Sequence, residues 1–158
     1  MESLFWRDIS LIHLIMNTVG RLSSQSPVFL VACVARKLDR PAPARDLYIS
    51  AWFRKARAYV ERQGRQWFIL SAKHGLIDPD DVIPPYDESL VRMPASERLL
   101  WGTRVIETIG RKIEVDTPLI VLVGRKYREP IWPAIASRSS VPMEGQGIGA
   151  QLAWLGRN

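Results

Sequence analysis

A chain of 158 residues fits a single domain, and its 47% hydrophobic residues, including six tryptophans, are enough to fill one core. The net charge of +6 favours nucleic acid or a phosphate-bearing substrate as partner, although a basic surface also keeps proteins soluble. A single cysteine excludes an intrachain disulfide and cannot form a zinc site by itself, so we expect a cytoplasmic protein.

The N-terminal residues 4–22 are apolar enough to be considered as a signal or membrane segment. The stretch is interrupted, however, by Arg7, Asp8, His13 and Asn17. It falls short of the roughly 20 unbroken apolar residues that spanning requires, and it lacks the ordered regions of a signal peptide. We therefore expect no membrane contact and a helix over residues 3–22. This helix would belong to an extension, residues 1–26, on an α/β core of residues 27–158.

Three short apolar runs predict strands that are buried on both faces. They cover residues 28–34, 66–70 and 118–123. Nearly continuous apolar runs of this length are typical of parallel sheets, and the segments between them have helical periodicity. The sequence therefore predicts one three-layer α/β/α domain with a small, mostly parallel sheet.

The remaining segments predict loops and helices in alternation. Two prolines in residues 38–43 indicate a loop, and residues 75–94 are the longest irregular stretch. Asp46 suits the N-cap of a helix that ends near Gly64. The later predicted elements are a helix from Ser96 to Lys112, a short helix over 128–136, an edge strand near Val141 and a final helix through Leu155.

Basic and polar residues follow each predicted strand directly. Ligands of parallel sheets bind at the carboxyl ends of the strands, which lie at one edge of the sheet. We therefore expect these residues to converge there and to form an anion site. They are Arg36, Lys37, Lys73, His74, Arg125 and Lys126.

The run Ser71-Ala72-Lys73-His74-Gly75 stands at the end of the second predicted strand. Lysine supplies a point charge for phosphate, serine a hydroxyl, and histidine a group that titrates near neutrality. The run could therefore bind an anion or move a proton. The alternative interpretation is a strand-to-loop junction whose polar side chains are only solvated.

Three further features have both a functional and a structural interpretation. Tyr86 and Asp87 could stack on a base and serve as acid, base or electrostatic stabiliser, or could instead form a lid and cap a turn. Cys33 suits either a nucleophile activated by nearby cations or a small buried hydrophobe. The glycine-rich residues 145–149 match a phosphate loop only weakly, because the lysine that ends such loops is missing.

An ordered set of short motifs is carried by Cys33, Lys37, residues 42–50, Phe53, residues 71–76, residues 85–87, Gly124, Tyr127 and residues 147–149. Over residues 28–155, this set resembles a bacterial and phage family described as a domain of unknown function. That family is distantly similar to the peroxide-stress YaaA proteins, which are associated with DNA binding. It is also similar to proteins in gene clusters that install deazaguanine bases in DNA.

The resemblance implies a compact α/β domain that works on nucleic acid or a nucleobase. The polar residues that the chain shares with the family are Asp46, Tyr48, Ser50, Ser71, Lys73, Tyr86 and Asp87. In the family's pattern a serine commonly follows the cysteine, whereas Val34 stands at that position here. This departure argues against any mechanism that relies on a Cys-Ser pair.

These features together predict an enzyme that acts on a base or an N-glycosidic bond in nucleic acid or a nucleotide. Cleavage of that bond develops a cationic sugar that a carboxylate stabilises, and a flipped base needs an aromatic wall. We expect no cofactor, and no ligand spacing suggests a metal site. The expected catalytic residues are Asp87, Tyr86, Ser71 and His74, and the expected substrate- or phosphate-binding residues are Lys37, Asp46, Tyr48, Ser50, Lys73, Arg125 and Tyr127.

Two functions without catalysis fit the same sequence. A nucleic-acid-binding module needs the basic edge but makes little demand on Asp87 or Ser71. A partner-binding protein of a toxin, defence or modification system would instead dock through Phe5, Trp6 and Ile9 of the first predicted helix.

Overall fold

A computed structural model of the protein describes residues 25–158. The predicted N-terminal helix over residues 3–22, with the aromatic residues of its proposed docking face, lies outside the described residues. Within residues 25–158, no helix has the length and apolar character needed to cross a membrane.

Seven strands form two sheets in the described part of the chain. The strands are β1 (Val28–Ala32), β2 (Ala42–Pro43), β3 (Trp67–Ser71), β4 (Gly75–Ile77), β5 (Val82–Ile83), β6 (Leu119–Leu122) and β7 (Ser139–Ser140). The larger sheet has the order β4-β3-β1-β6-β7, and β2 pairs with β5 in a small antiparallel sheet. Strand β1 pairs in parallel with both β3 and β6, which confirms the predicted arrangement of the three apolar runs. Only the β3–β4 pair of the larger sheet is antiparallel.

The helices of the described residues lie between the strands and after the last one. They are α1 (Ala44–Leu47), α2 (Ala51–Arg62), α3 (Ala95–Lys112), α4 (Arg125–Arg128), α5 (Trp132–Ile135) and α6 (Ile148–Arg157), with a 3₁₀ turn at Ala136–Arg138. The fold is a small α/β domain with a mostly parallel sheet, as the sequence predicts.

Helices α2 and α3 cover opposite faces of the sheet. Tyr59 of α2 contacts Phe29 of β1 edge to face, with ring centroids 5.7 Å apart. On β3, Phe68 pairs with Leu30, the residue after Phe29, and its ring lies 5.5 Å from Lys112 Nζ of α3. Paired residues share a face and consecutive residues alternate, so the two contacts lie on opposite faces. The result is the three-layer arrangement of a doubly covered parallel sheet.

The prediction of one continuous helix with Asp46 as its N-cap is wrong, because the structure has two helices, α1 and α2, in this segment. Tyr48 is extended at the end of α1, where its backbone forms an antiparallel bridge with Lys37. The long helix α2 begins after Ser50, whose Oγ accepts a hydrogen bond from Phe53 N at 3.1 Å. Asp46 instead accepts a hydrogen bond from Arg57 at 2.5 Å. A serine N-cap and a tertiary bridge therefore override helical periodicity.

Smaller differences concern the proline-rich segments. The irregular stretch over residues 75–94 contains the short strands β4 and β5. The helix expected over 128–136 is divided into α4 and α5 around Pro130, because proline lacks an N–H and restricts the residue before it. The edge strand expected near Val141 is β7, which lies slightly earlier in the chain.

The carboxyl ends of β3, β1 and β6 lie side by side in this order. Ser71 is the last residue of β3, Cys33 follows β1 directly, and Gly124 stands shortly after β6. The three central strands thus bring their trailing residues to one edge, as expected for a parallel sheet whose ligands bind there.

Helix α3 contains two glycines whose surroundings differ. A Cβ on Gly102 would lie 2.6 Å from Pro130 Cβ and 2.7 Å from Pro130 O, whereas a Cβ on Gly110 would have no neighbour within 4 Å. The close contact at Gly102 lets α3 approach the turn between α4 and α5.

We expect Gly102→Ala to lower the free energy of unfolding by about 1–3 kcal/mol, because the added methyl overpacks a contact with backbone. Gly110→Ala is the matched control and should raise it by about 0.5–1 kcal/mol through helix propensity. Urea unfolding followed by tryptophan fluorescence measures both values. Equal effects of the two substitutions would contradict the tight α3–Pro130 contact.

Candidate functional site

Three hydroxyl groups meet at the carboxyl end of β3. Tyr86 Oη lies 2.6 Å from Tyr48 Oη and 2.7 Å from Ser71 Oγ, which are hydrogen-bonding distances. We call Tyr48, Ser71 and Tyr86 the tyrosine cluster. Because each hydroxyl both donates and accepts, the cluster can pass a proton along its length.

Each member of the tyrosine cluster is held by a different part of the fold. Ser71 is fully buried, its carbonyl accepts from Trp101 Nε1 at 2.9 Å, and its Oγ accepts from His74 N at 3.0 Å. Tyr48 occupies the break between α1 and α2 and is also buried. Tyr86 comes from the loop after β5 and is half-buried. The cluster therefore joins a strand end, a helix break and a loop.

Lys37 lies over the tyrosine cluster. Its Nζ is 4.3 Å from the ring centroid of Tyr86 and 5.6 Å from that of Tyr48, within cation–π range. The ammonium donates to the carbonyls of Val34 and Ala35 at 3.2 Å each. Burial lowers the pKa of Lys37, and negative charge at neighbouring acidic groups partly opposes this shift. The bridge between Lys37 and Tyr48 fixes the lysine in this position.

The phenols of the tyrosine cluster are neutral hydrogen-bonding groups. Burial raises the pKa of both Tyr48 and Tyr86 well above the usual tyrosine range, because the charged form would lose its hydration. Tyr86 therefore retains its proton at neutral pH and can donate a hydrogen bond.

His74 stands at the exposed side of Tyr86. The two rings meet edge to face with centroids 5.3 Å apart. Partial burial, followed by the positive charge of Lys73, lowers the pKa of His74 below its usual value of 6.5. The imidazole is consequently neutral at pH 7 and able to accept a proton.

Cys33 and Tyr127 form a second polar contact at the end of β1. Cys33 Sγ lies 3.3 Å from Tyr127 Oη, and Tyr127 packs at right angles on Trp101 with centroids 5.8 Å apart. Burial raises the pKa of Tyr127 above its usual range. Trp101 thus contacts both Ser71 and Tyr127, so one side chain supports both polar contacts.

Charged residues surround the exposed side of the cluster. The side chain of Asp87 is 99% exposed and accepts from Arg92 at 3.2 Å. Lys73 forms an ion pair with Glu88 at 3.4 Å. Exposed pairs of this kind contribute little to stability, so these four residues can exchange partners with a ligand at small cost.

The structure brings together five predicted site residues but separates others from them. Lys37, Tyr48, Ser71, His74 and Tyr86 share direct contacts. Asp46 pairs with Arg57 and Ser50 caps α2, so both have structural partners instead. Arg125 forms an exposed ion pair with Glu129 at 2.6 Å.

Sequence reasoning missed two contributors to this region. Trp101 reads as a core residue on α3, and nothing in its spacing indicates that its indole N–H reaches the backbone of Ser71. Glu88 follows Asp87 directly, and its pairing with Lys73 depends on how the loop folds back. Among residues 25–158, no group of three or more His, Cys, Asp or Glu side chains is placed to hold a metal ion.

Fold and site together define a small α/β domain with a buried hydroxyl cluster under a lysine at the carboxyl ends of parallel strands. The chain belongs to the family of unknown function DUF6884, whose sequence profile matches residues 28–157. It is 29% identical over 122 residues to the uncharacterized protein YfjM of Bacillus subtilis (strain 168), covering 74% of this chain and 80% of that protein. No solved structure matches the chain significantly. The expected membership of a domain family of unknown function is thereby confirmed.

We expect Tyr86→Phe and Tyr48→Phe each to lower the free energy of unfolding by about 1–3 kcal/mol, because each leaves a buried hydroxyl short of a partner. The double variant should cost less than the sum of the single variants, since both remove the same hydrogen bond. Tyr59→Phe is the control, because the Tyr59 hydroxyl has no hydrogen bond to another described residue. Chemical unfolding of the four proteins measures the coupling. Strict additivity would contradict a shared hydroxyl cluster.

Proposed function

We propose that this protein is an enzyme that acts on a base or an N-glycosidic bond of nucleic acid or a nucleotide. The observation that carries the proposal is the neutral Tyr86 phenol, which bridges two buried hydroxyls beneath Lys37 at the carboxyl ends of the central strands. Ligands of open α/β sheets bind at that edge.

Lys37 is suited to hold a phosphate near the tyrosine cluster. An ammonium has three donors, and two of those of Lys37 are directed to the carbonyls of Val34 and Ala35. The remaining donor is available to an anion. Lys73 and Arg92 supply further positive charge at the exposed side, where their ion pairs can be exchanged.

Neutral His74 is suited to the proton transfer of glycosidic cleavage. Hydrolysis breaks the bond between C1′ and the base nitrogen, so that the leaving base takes up a proton, while water adds its oxygen to C1′ and releases a proton. Neutral His74 can accept the proton of the water and pass it to the leaving base, which returns the imidazole to its neutral form. Tyr86, which contacts His74 and keeps its own proton, can donate a hydrogen bond beside it.

Asp87 can stabilise the cationic sugar that develops during this cleavage. Its carboxylate is exposed and held only by Arg92, so it can turn toward a bound substrate. The adjacent Tyr86 ring would place that carboxylate beside a stacked base. Glu88 is the second carboxylate on the same side of the cluster.

The alternative function is a binding module without catalysis, which the exposed side chains of Lys73, Arg92 and Arg125 favour. Binding of phosphate needs exposed cations alone. It places no demand on His74 beside the hydroxyl cluster or on the exposed Asp87 carboxylate, and the enzymatic proposal is preferred because it gives both groups a role.

The test incubates the full chain with single-stranded DNA, duplex DNA, RNA or nucleotides and measures released or exchanged bases by mass spectrometry. We expect turnover of one of these classes. Tyr86→Phe and Asp87→Asn should each lower the rate by about 10²-fold or more while the affinity stays within about threefold, because the hydrogen bond of the phenol and the charge of the carboxylate stabilise the transition state. Lys73→Ala should weaken affinity.

Arg104→Gln is the matched control, because Arg104 is an exposed cation of α3 outside the cluster. It should leave both rate and affinity unchanged. If the wild type converts none of these substrates, and Tyr86→Phe and Lys73→Ala lose binding equally, the enzymatic proposal is wrong and the binding module remains.

A further inference from the structure

Two cavities adjoin on the side of the site that faces β6. The first, the cysteine cleft, has a volume of about 650 Å³ and is lined by Cys33, Tyr127, Arg36 and mainly apolar side chains. The second, the glycine-loop cavity, measures about 400 Å³ and lies between β6 and residues 143–146. Both are lined by Trp52, Gly124 and Arg125, so the two cavities adjoin, and we call them together the groove.

Trp52 forms the wall that the two cavities share. Its Nε1 donates to Gln151 Oε1 at 2.8 Å, and Gln151 Nε2 donates to the carbonyl of Gln146 at 2.8 Å. These bonds fix the orientation of the indole ring relative to the glycine-rich loop. A Cβ on Gly124, which also lines both cavities, would meet nothing within 4 Å, so the backbone is open to a ligand there. A fixed aromatic ring beside open backbone suits base stacking.

Cations stand along the whole groove. Arg36 and Lys126 line the cysteine cleft, are exposed, and form no ion pair with another residue of the range 25–158. Arg128 lines the glycine-loop cavity, where it pairs with the exposed Glu144 at 2.8 Å. Arg125 lies between them and lines both cavities. Positive charge at intervals along a partly apolar groove complements a chain that alternates phosphates with bases.

The size of the groove exceeds what one nucleotide needs. A pocket of roughly 300–1,000 Å³ holds one drug-sized ligand. The cysteine cleft, at about 650 Å³, satisfies that range alone, and the glycine-loop cavity, at about 400 Å³, satisfies it again. A mononucleotide would therefore occupy one cavity and leave the other empty.

We propose that the ligand is a single polynucleotide strand that spans the cysteine cleft and the glycine-loop cavity, rather than a free mononucleotide. The inference rests on the proposed function and specifies its substrate class. One nucleotide lies at the cysteine cleft, which is lined by the residues directly before Lys37, the next lies in the glycine-loop cavity, and Trp52 stacks between them. DNA and RNA share the required chemistry.

The test measures affinity by calorimetry for unlabelled thymidine 5′-monophosphate, for the hexamers of thymidylate and uridylate, and for an abasic DNA hexamer. At least one base-carrying hexamer should bind about tenfold or more tightly than the mononucleotide. The abasic hexamer has the same charge but no bases, so it should bind several-fold more weakly than the thymidylate hexamer.

Two variants test the glycine-loop cavity, one that removes a positive charge and one that removes a negative charge. Arg128→Gln should weaken binding of the tighter hexamer about three- to tenfold and reduce its salt slope by about 0.7, because one phosphate contact is lost. Glu144→Gln should tighten hexamer binding, since it releases Arg128 from its ion pair. Neither change should alter the affinity for the mononucleotide. Arg104→Gln removes the same charge from α3 and should have no effect.

Three results would overturn the inference. Equal affinities for mononucleotide and hexamers, with turnover that still depends on Tyr86, would refute the spanning strand and leave the proposed function intact. Effects of Arg128→Gln and Glu144→Gln no larger than that of Arg104→Gln would refute the role of the glycine-loop cavity. Absence of binding to every probe would refute the proposed function together with the inference.

Discussion

The hydroxyl of Tyr86 is the point on which the site depends. It is the only group of the described residues that contacts both the Tyr48 and Ser71 hydroxyls, at 2.6 and 2.7 Å. Through these two bonds the long loop after β5 is attached to the end of β3 and to the break before α2. Burial of hydroxyls is costly unless each is satisfied, so the loop, the strand end and the helix break constrain one another.

This constraint also explains the electrostatic character of the site. Burial keeps the phenols neutral by raising their pKa values, while it lowers the pKa values of the flanking Lys37 and His74. A hydrogen-bond donor that holds its proton therefore stands next to a histidine that is unprotonated at pH 7. One cause, the loss of hydration, shifts each of these four groups toward its uncharged form.

The frame of the fold could be predicted from the sequence, because short apolar runs that are rich in β-branched residues and bounded by turn or polar residues are typical of buried strands. The runs ending near Cys33, Ser71 and Gly124 thus imply a mostly parallel sheet and an edge at which polar residues gather, while the order of the strands is seen only in the structure. Ser71 ends β3, so its place at that edge follows from topology, whereas the position of Lys37 also depends on its bridge to Tyr48.

Other parts of the site depend on contacts between distant segments. The break at Tyr48 interrupts a continuous amphipathic pattern, and it requires a backbone bridge to Lys37 that no local signal encodes. The contact of Cys33 with Tyr127 joins residues 94 positions apart. The sequence predicts Trp101 as a core residue, and only the structure shows that its indole N–H donates to the carbonyl of Ser71. Such features follow from tertiary structure rather than from spacing.

The most direct test of the central claim is a crystal structure of the full chain soaked with a mixture of nucleotides and short oligonucleotides. The account predicts that a phosphate contacts Lys37 or Lys73 and that a base or sugar lies against Tyr86, at the carboxyl ends of the central strands. A ligand ordered only on another face of the sheet, with the edge beside Tyr86 unoccupied, would contradict it.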